Sequence, residues 1–349
     1  TAALVTADTK VEVSDATVTI NDADGVAITA AELSAIGGAT TGTVTVTNAV
    51  AITGDHDQLT AALITAGTKV EVSDATVTIS DADATEITAS ELSAIGGATT
   101  GTVTVTNAVA ITGNHDELTG ALVTAGTKVE VSDATVTISD ADLTGITASE
   151  LSAIGGSTTG TVTVTNAVAI TGSASEATAA LVTAGTLVDV SDATVTINDA
   201  DSTALDASVL SAIGGATTGT VTVTNAVAIT GDHDEVTAAL VTAGTKVSVS
   251  DATVTVNDAD ATAITAAELS AIGGATTGTV TVTNAVAITG DHDQVTAALV
   301  TAGTKVEVED AAVTINDADT TAITAAELSA IGGATTGTVT VTNAVAITG

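Results

Sequence analysis

Residues Ala35–Gly54 read AIGGATTGTVTVTNAVAITG, and this phrase decides the fold because it returns almost unchanged along the chain. Its asparagine recurs at Asn48, Asn107, Asn166, Asn225, Asn284 and Asn343, a constant step of 59. Its glycine pair recurs at Gly37-Gly38, Gly96-Gly97, Gly155-Gly156, Gly214-Gly215, Gly273-Gly274 and Gly332-Gly333. A fixed period of this length marks a repeat architecture, in which each unit buries its apolar face only against its neighbours. The repeats run 1–59, 60–118, 119–177, 178–236, 237–295 and 296–349, one continuous array over 1–349 with no room for a separate domain. Both ends fall inside the pattern, so the chain reads as a window of a longer array.

Within the phrase, Val44, Val46, Val50 and Ile52 alternate with Thr or Ala, the period-two pattern of half-buried strands. Just upstream, Thr29-Ala30-Ala31-Glu32 is a capping box, in which hydroxyl and carboxylate satisfy free amides at a helix start. It recurs at Thr88/Glu91, Thr147/Glu150, Thr265/Glu268 and Thr324/Glu327, with Asp206 as the cap in the fourth repeat. Gly37 then ends the helix at a position expected to tolerate positive φ.

Each repeat divides into two related halves, as in Ile28–Gly54 (ITAAELSAIGGATTGTVTVTNAVAITG) and Leu59–Asp83 (LTAALITAGTKVEVSDATVTISDAD). In the second type of half, Val11, Val13, Val18 and Ile20 alternate in the same way. Aligning Thr29, Thr60 and Thr88 predicts two unequal coils per repeat, of length about 31 and about 28, and about twelve coils in all. Strands and helices this short cannot bury their apolar faces alone. The predicted fold is therefore a parallel β-solenoid, right-handed by the crossover rule, with a short helix in each coil and each Val lying on the Val of the next coil.

Composition agrees with a thin, uniform interior. The 349 residues include no Phe, Trp, Tyr, Met, Cys or Pro, yet 45% are apolar. Five Lys or Arg against 42 acids give a formal net charge of -37, which excludes nucleic acid as a partner and disfavours anionic membranes. No apolar stretch reaches the roughly 18 residues that span a bilayer, so membrane insertion is not expected. Divalent cations are the partners such a surface attracts.

The acidic loops are the candidate sites. Asp22-Ala23-Asp24, Asp55-His56-Asp57, Asp81-Ala82-Asp83, Asp140-Ala141-Asp142, Asp199-Ala200-Asp201, Asp232-His233-Asp234, Asp258-Ala259-Asp260, Asp291-His292-Asp293 and Asp317-Ala318-Asp319 each follow a strand. Stacked coils would bring these carboxylates into a ladder, and flexible loops of hard oxygen ligands suit Ca2+. The second reading of the same loops is solvated Asp acting as turn former and helix cap. Two loops break the ladder, with Asn114 for the first Asp and with Ser173-Ala174-Ser175. No loop matches the EF-hand spacing, and Gly37-Gly38 is followed by Ala39-Thr40-Thr41-Gly42, which is not the RTX nonapeptide. His56, His115, His233 and His292 read as solvated loop residues. Asn48 and its equivalents read as an internal amide ladder. Thr43, Thr45 and Thr47 suggest an ice-binding array, interrupted where the next coil presents Lys10, Glu12 and Ser14.

The wording Thr29–Leu33 (TAAEL), Thr40–Thr47 (TTGTVTVT) and Ala51–Gly54 (AITG) resembles the tandem arrays of giant surface and adhesin-like proteins of marine bacteria, notably cyanobacteria. The resemblance implies secretion, a very long parent chain and an extracellular or cell-surface role. With every polar cluster repeated and no unique catalytic set, an enzyme is not expected. The expected function is a stiff acidic filament or adhesin stalk that pairs with itself end to end or in bundles. A solenoid face binding ice or carbohydrate is the alternative.

Overall fold

A computed structural model describes residues 1–8 and 10–349. The chain divides into two compact units, Thr1–Val168 with Ala179–Val190, and Ala169–Thr178 with Ser191–Gly349. Both are built from the same strand–helix groups, and the strands pair in parallel in each.

In the first unit the capping boxes start their helices as expected. Thr29 caps Ala30–Gly37, Thr88 caps Ala89–Gly96 and Thr147 caps Ala148–Gly155, each with its Glu answering. A second set of helices, His56–Leu63 and His115–Leu122, begins earlier than the sequence alignment places it. Their caps are Asp55 and Asn114, not a threonine aligned with Thr60. Helix starts therefore run from Ala30 to His56 to Ala89, steps of 26 and 33 in place of 31 and 28. The shared wording TAAL/TAAEL misleads, because in one half it opens a helix and in the other it fills the helix's second turn.

The strands are three or four residues long in these ladders and lie in small, separate sheets. One joins Ala27–Thr29, Ala51–Gly54, Thr76–Ile79 and Val103–Val105, with Ile28 opposite Ile52, Ile52 opposite Val77 and Val77 opposite Val103. The same order returns one repeat further on, joining Glu86–Thr88, Ala110–Gly113, Thr135–Ile138 and Val162–Val164. Single bridges extend the ladders at Thr104–Glu130 and Thr163–Asp189. In the second unit the same order joins Ala204–Asp206, Ala228–Gly231, Thr253–Val256, Val280–Val282 and Val306–Val308. A further sheet there joins Ala263–Thr265, Ala287–Gly290, Ala312–Ile315 and Val339–Val341. The arrangement is a repetitive, parallel, solenoid-like one.

This pairing keeps aliphatic side chains in register on the inner face. Ile52, Val77 and Val103 are all buried, as are Leu33, Leu59, Leu63 and Leu92 from the helices. Each such side chain contributes about 1.5–3 kcal/mol relative to exposure. On the outer face the same register lines up Thr29, Thr53, Thr78 and Thr104 before Glu130 ends the row. The sequence alignment, which sets corresponding strands of the two half-types side by side, expects an interruption at every second coil.

The glycine pairs serve close approach rather than positive φ. Gly37 lies within its helix, and Gly38 has φ −71, an ordinary right-handed value. A Cβ on Gly37 would overlap the carbonyl of Thr68, and one on Gly96 that of Thr127. Gly101 meets the main chain of Asp74 and Ala75 in the same way. Helices can thus end flush against the following turn of chain.

Substituting Gly96→Ala should therefore lower the denaturation midpoint strongly, by about 1–3 kcal/mol of overpacking strain. Gly126, where an added Cβ would meet nothing within 4 Å, should accept Ala within about 0.5 kcal/mol. Urea unfolding followed by circular dichroism compares the two; equal effects would contradict the close-approach account.

Candidate functional site

Strand Ala51–Gly54 runs directly into Asp55, whose extended backbone and side chain cap the helix that follows, accepting from the Gln58 N–H at 2.8 Å. His56 is then the first helical residue, and its own N–H has no partner inside the helix. That donor reaches Asp81, 25 residues downstream, at 2.8 Å from Oδ2. The His56 ring turns the same way, and Nδ1–H donates to Asp81 Oδ1 at 2.6 Å. One carboxylate therefore receives two bonds from one residue, main chain and side chain together.

Asp81 is held in place by the turn Asp81-Ala82-Asp83-Ala84. Ala84 sits at φ 61, the left-handed region, and its N–H donates to the Ala108 carbonyl at 2.8 Å. Asp83 Oδ1 accepts from the Ala108 N–H at 3.2 Å. Asn107 Nδ2 donates to the Asp81 carbonyl. The turn is thus fastened to a helix start behind it and to a strand corner ahead of it. The asparagines bond to main-chain carbonyls in this way, and the expected ladder of amides is not formed.

The same clasp appears at His115/Asp140 in the first unit, with bonds of 2.8 and 2.7 Å. In the second unit it appears at His233/Asp258 and His292/Asp317, each with bonds of 2.8 and 2.6 Å. Where Ala174 replaces His, Asp199 keeps only the main-chain bond, at 2.7 Å.

Each carboxylate of the expected ladder has a place of its own. Asp55, Asp232 and Asp291 are helix caps, and the two exceptions, Asn114 and Ser173, accept from the same third amide. Asp, Asn and Ser are the residues that cap helices best, so the apparent gaps follow a capping rule. Asp57, Asp234 and Asp293 lie on the first turn, exposed to solvent. Asp81, Asp140, Asp258 and Asp317 are buried clasp acceptors. Asp24, Asp83, Asp142, Asp201, Asp260 and Asp319 each accept from the N–H of an Ala 25 residues on. Asp22 is exposed, and its carbonyl accepts from Asn48. The engaged carboxylates act as hydrogen-bond acceptors one by one, and among the described residues no three His, Asp or Glu side chains gather in a metal-binding group.

The histidines differ most from expectation. The His56 side chain is 14% exposed and that of Asp81 5%, so the ring is no solvated loop residue. Asp57 Oδ1 lies 3.7 Å from the other ring nitrogen. Burial disfavours a charged ring, but the bond to Asp81 and the charges of Asp81, Asp57 and Glu91 outweigh it, and the His56 pKa lies above 6.5. The His233 ring is raised by the same balance. For His292 the bond to Asp317 is the largest influence, again raising the pKa. A partner this far along the chain gives no local sequence signal, and His between two acids looks like a polar loop.

Against known proteins, no family model matches the chain and no curated protein matches it.

Removing one acceptor from a buried pair of donors, as Asp81→Asn does, should cost about 1–3 kcal/mol, whereas Asp199→Asn, facing one donor, should cost less; urea midpoints decide. The capping carboxylates of Glu91 and Glu268 are held below their ordinary 4.5 by the hydroxyl and amide of their threonines. Their stabilisation is complete above about 4.5 and is lost as pH falls through the depressed value, so Thr88→Ala should flatten part of the acid limb of a melting-temperature profile.

Proposed function

We propose that this chain is a shaft segment of an extracellular filament or adhesin stalk, wound as a closed parallel β-solenoid with two coils per repeat. The observation that supports it most is the return of one hydrogen-bonded arrangement repeat after repeat, with strands in register. Binding sites and active centres are single places, whereas a shaft needs the same join many times. The acidic surface keeps shafts apart laterally at low salt, and further copies or further repeats add end to end. The shaft carries no chemistry of its own in this reading.

One observation favours a second reading, a face for ice or a carbohydrate. Thr53, Thr78 and Thr104 stand in adjacent strands, half-exposed, so their hydroxyls form an ordered row. Thermal hysteresis and sedimentation with insoluble polysaccharides would detect such binding, and neither effect is expected of a plain shaft.

Electron microscopy and small-angle scattering of the full chain test the first reading. Long thin particles are expected, and deletion of one repeat, residues 119–177, should shorten them by about 10 Å, two coils at strand spacing. Round particles that shrink evenly on deletion would overturn the stalk.

A further inference from the structure

Ion pairs gather at the four histidines, and each pair joins a helix start to a turn 25 residues downstream. The carboxylate partners are buried, and both of their oxygens are occupied by the same residue. We propose that three of these pairs, at His56, His233 and His292, form a proton-operated clasp: the imidazolium locks each of these helices to the following turn of chain, and its neutralisation loosens the lock.

The charge around the ring is of one sign from every side. His56 faces Asp81 from the turn, Asp57 from its own helix and Glu91 from helix Ala89–Gly96. His233 faces Asp258, Asp234 and Glu268, and His292 faces Asp317, Asp293 and Glu327. His115 repeats the geometry with Asp140 and Asp116. An imidazolium donates a charge-assisted bond to a carboxylate shielded from water, roughly twice as strong as its neutral counterpart. The neutral ring still donates from Nδ1, so the join weakens on deprotonation without breaking.

The sign of the effect is set by the raised values. The folded rings of His56, His233 and His292 hold their protons above 6.5, the unperturbed value. Their contribution is complete below about 6.5 and is lost as pH rises through the folded value. The Ala174 repeat shows that the surrounding structure forms without the ring, with Asp199 still bound to the main chain. Succession of clasped and unclasped turns would let alkalinity soften a shaft locally without unfolding it.

The test is the full chain against the variant carrying His56→Ala, His115→Ala, His233→Ala and His292→Ala, the residue the third repeat already has. Melting temperatures are taken from pH 5.5 to 8.5 at fixed ionic strength with EDTA present. The unaltered chain should lose on the order of 2 °C or more across this range, and the variant should be flat, since no other side chain titrates there unperturbed. Parallel curves, or a melting temperature that rises with pH, would overturn the clasp. Imidazole proton resonances followed by NMR give an independent reading on the unaltered protein. Midpoints above 6.5 are expected for the three raised rings, and midpoints at or below it would also overturn the proposal.

Discussion

Every element of this protein is too short to exist without the one beside it, and the constraint that follows is parallel register. A strand of three or four residues makes too few hydrogen bonds to hold itself, and an eight-residue helix lies below the length at which helices persist in water. Each becomes stable only when Ile52 meets Val77 and Val77 meets Val103, so that main-chain bonds and aliphatic burial form together. The absence of aromatic rings fits this requirement. A column of Val, Ile and Leu keeps one width throughout, which lets identical groups follow each other without local adjustment.

Close approach is the second condition. Gly37 and Gly96, at the ends of first-type helices, lie against the carbonyl of the following turn. Those before the first strands, such as Gly101, lie against the main chain of the preceding turn. Polar side chains then fasten what the glycines allow to come near. Thr99 donates to the Ala75 carbonyl, Thr100 to that of Ser73 and Asn107 to that of Asp81. The His–Asp clasps belong to the same class of join, differing in that two ionisable side chains meet in them. Structure and proposed role meet here, because a shaft is as stiff as the joins between its turns.

Much of this is legible in the residues. The constant repeat, the alternation around Val44 and Ile52 and the capping boxes at Thr29, Thr88, Thr147, Thr265 and Thr324 all rest on local patterns, and each is found where those patterns lie. The helix at Asp55 escapes such a reading because its cap resembles an acidic loop, and an N-cap looks like a turn until its third amide is seen to return to it. The pairing of His56 with Asp81 escapes for a different reason. It joins distant stretches of chain, and nothing in either residue's neighbourhood names the other.

Repetition, strand type, the threonine-capped helices and the all-aliphatic interior were thus determined by sequence alone, since each is set within a short stretch of chain. Which strand lies beside which, why the glycines are needed, and the use of Asp81 as a clasp acceptor were decided only by tertiary structure. Those properties depend on distances between segments far apart along the chain, and the repeat makes several registers look equal until side-chain volumes and hydrogen bonds select one.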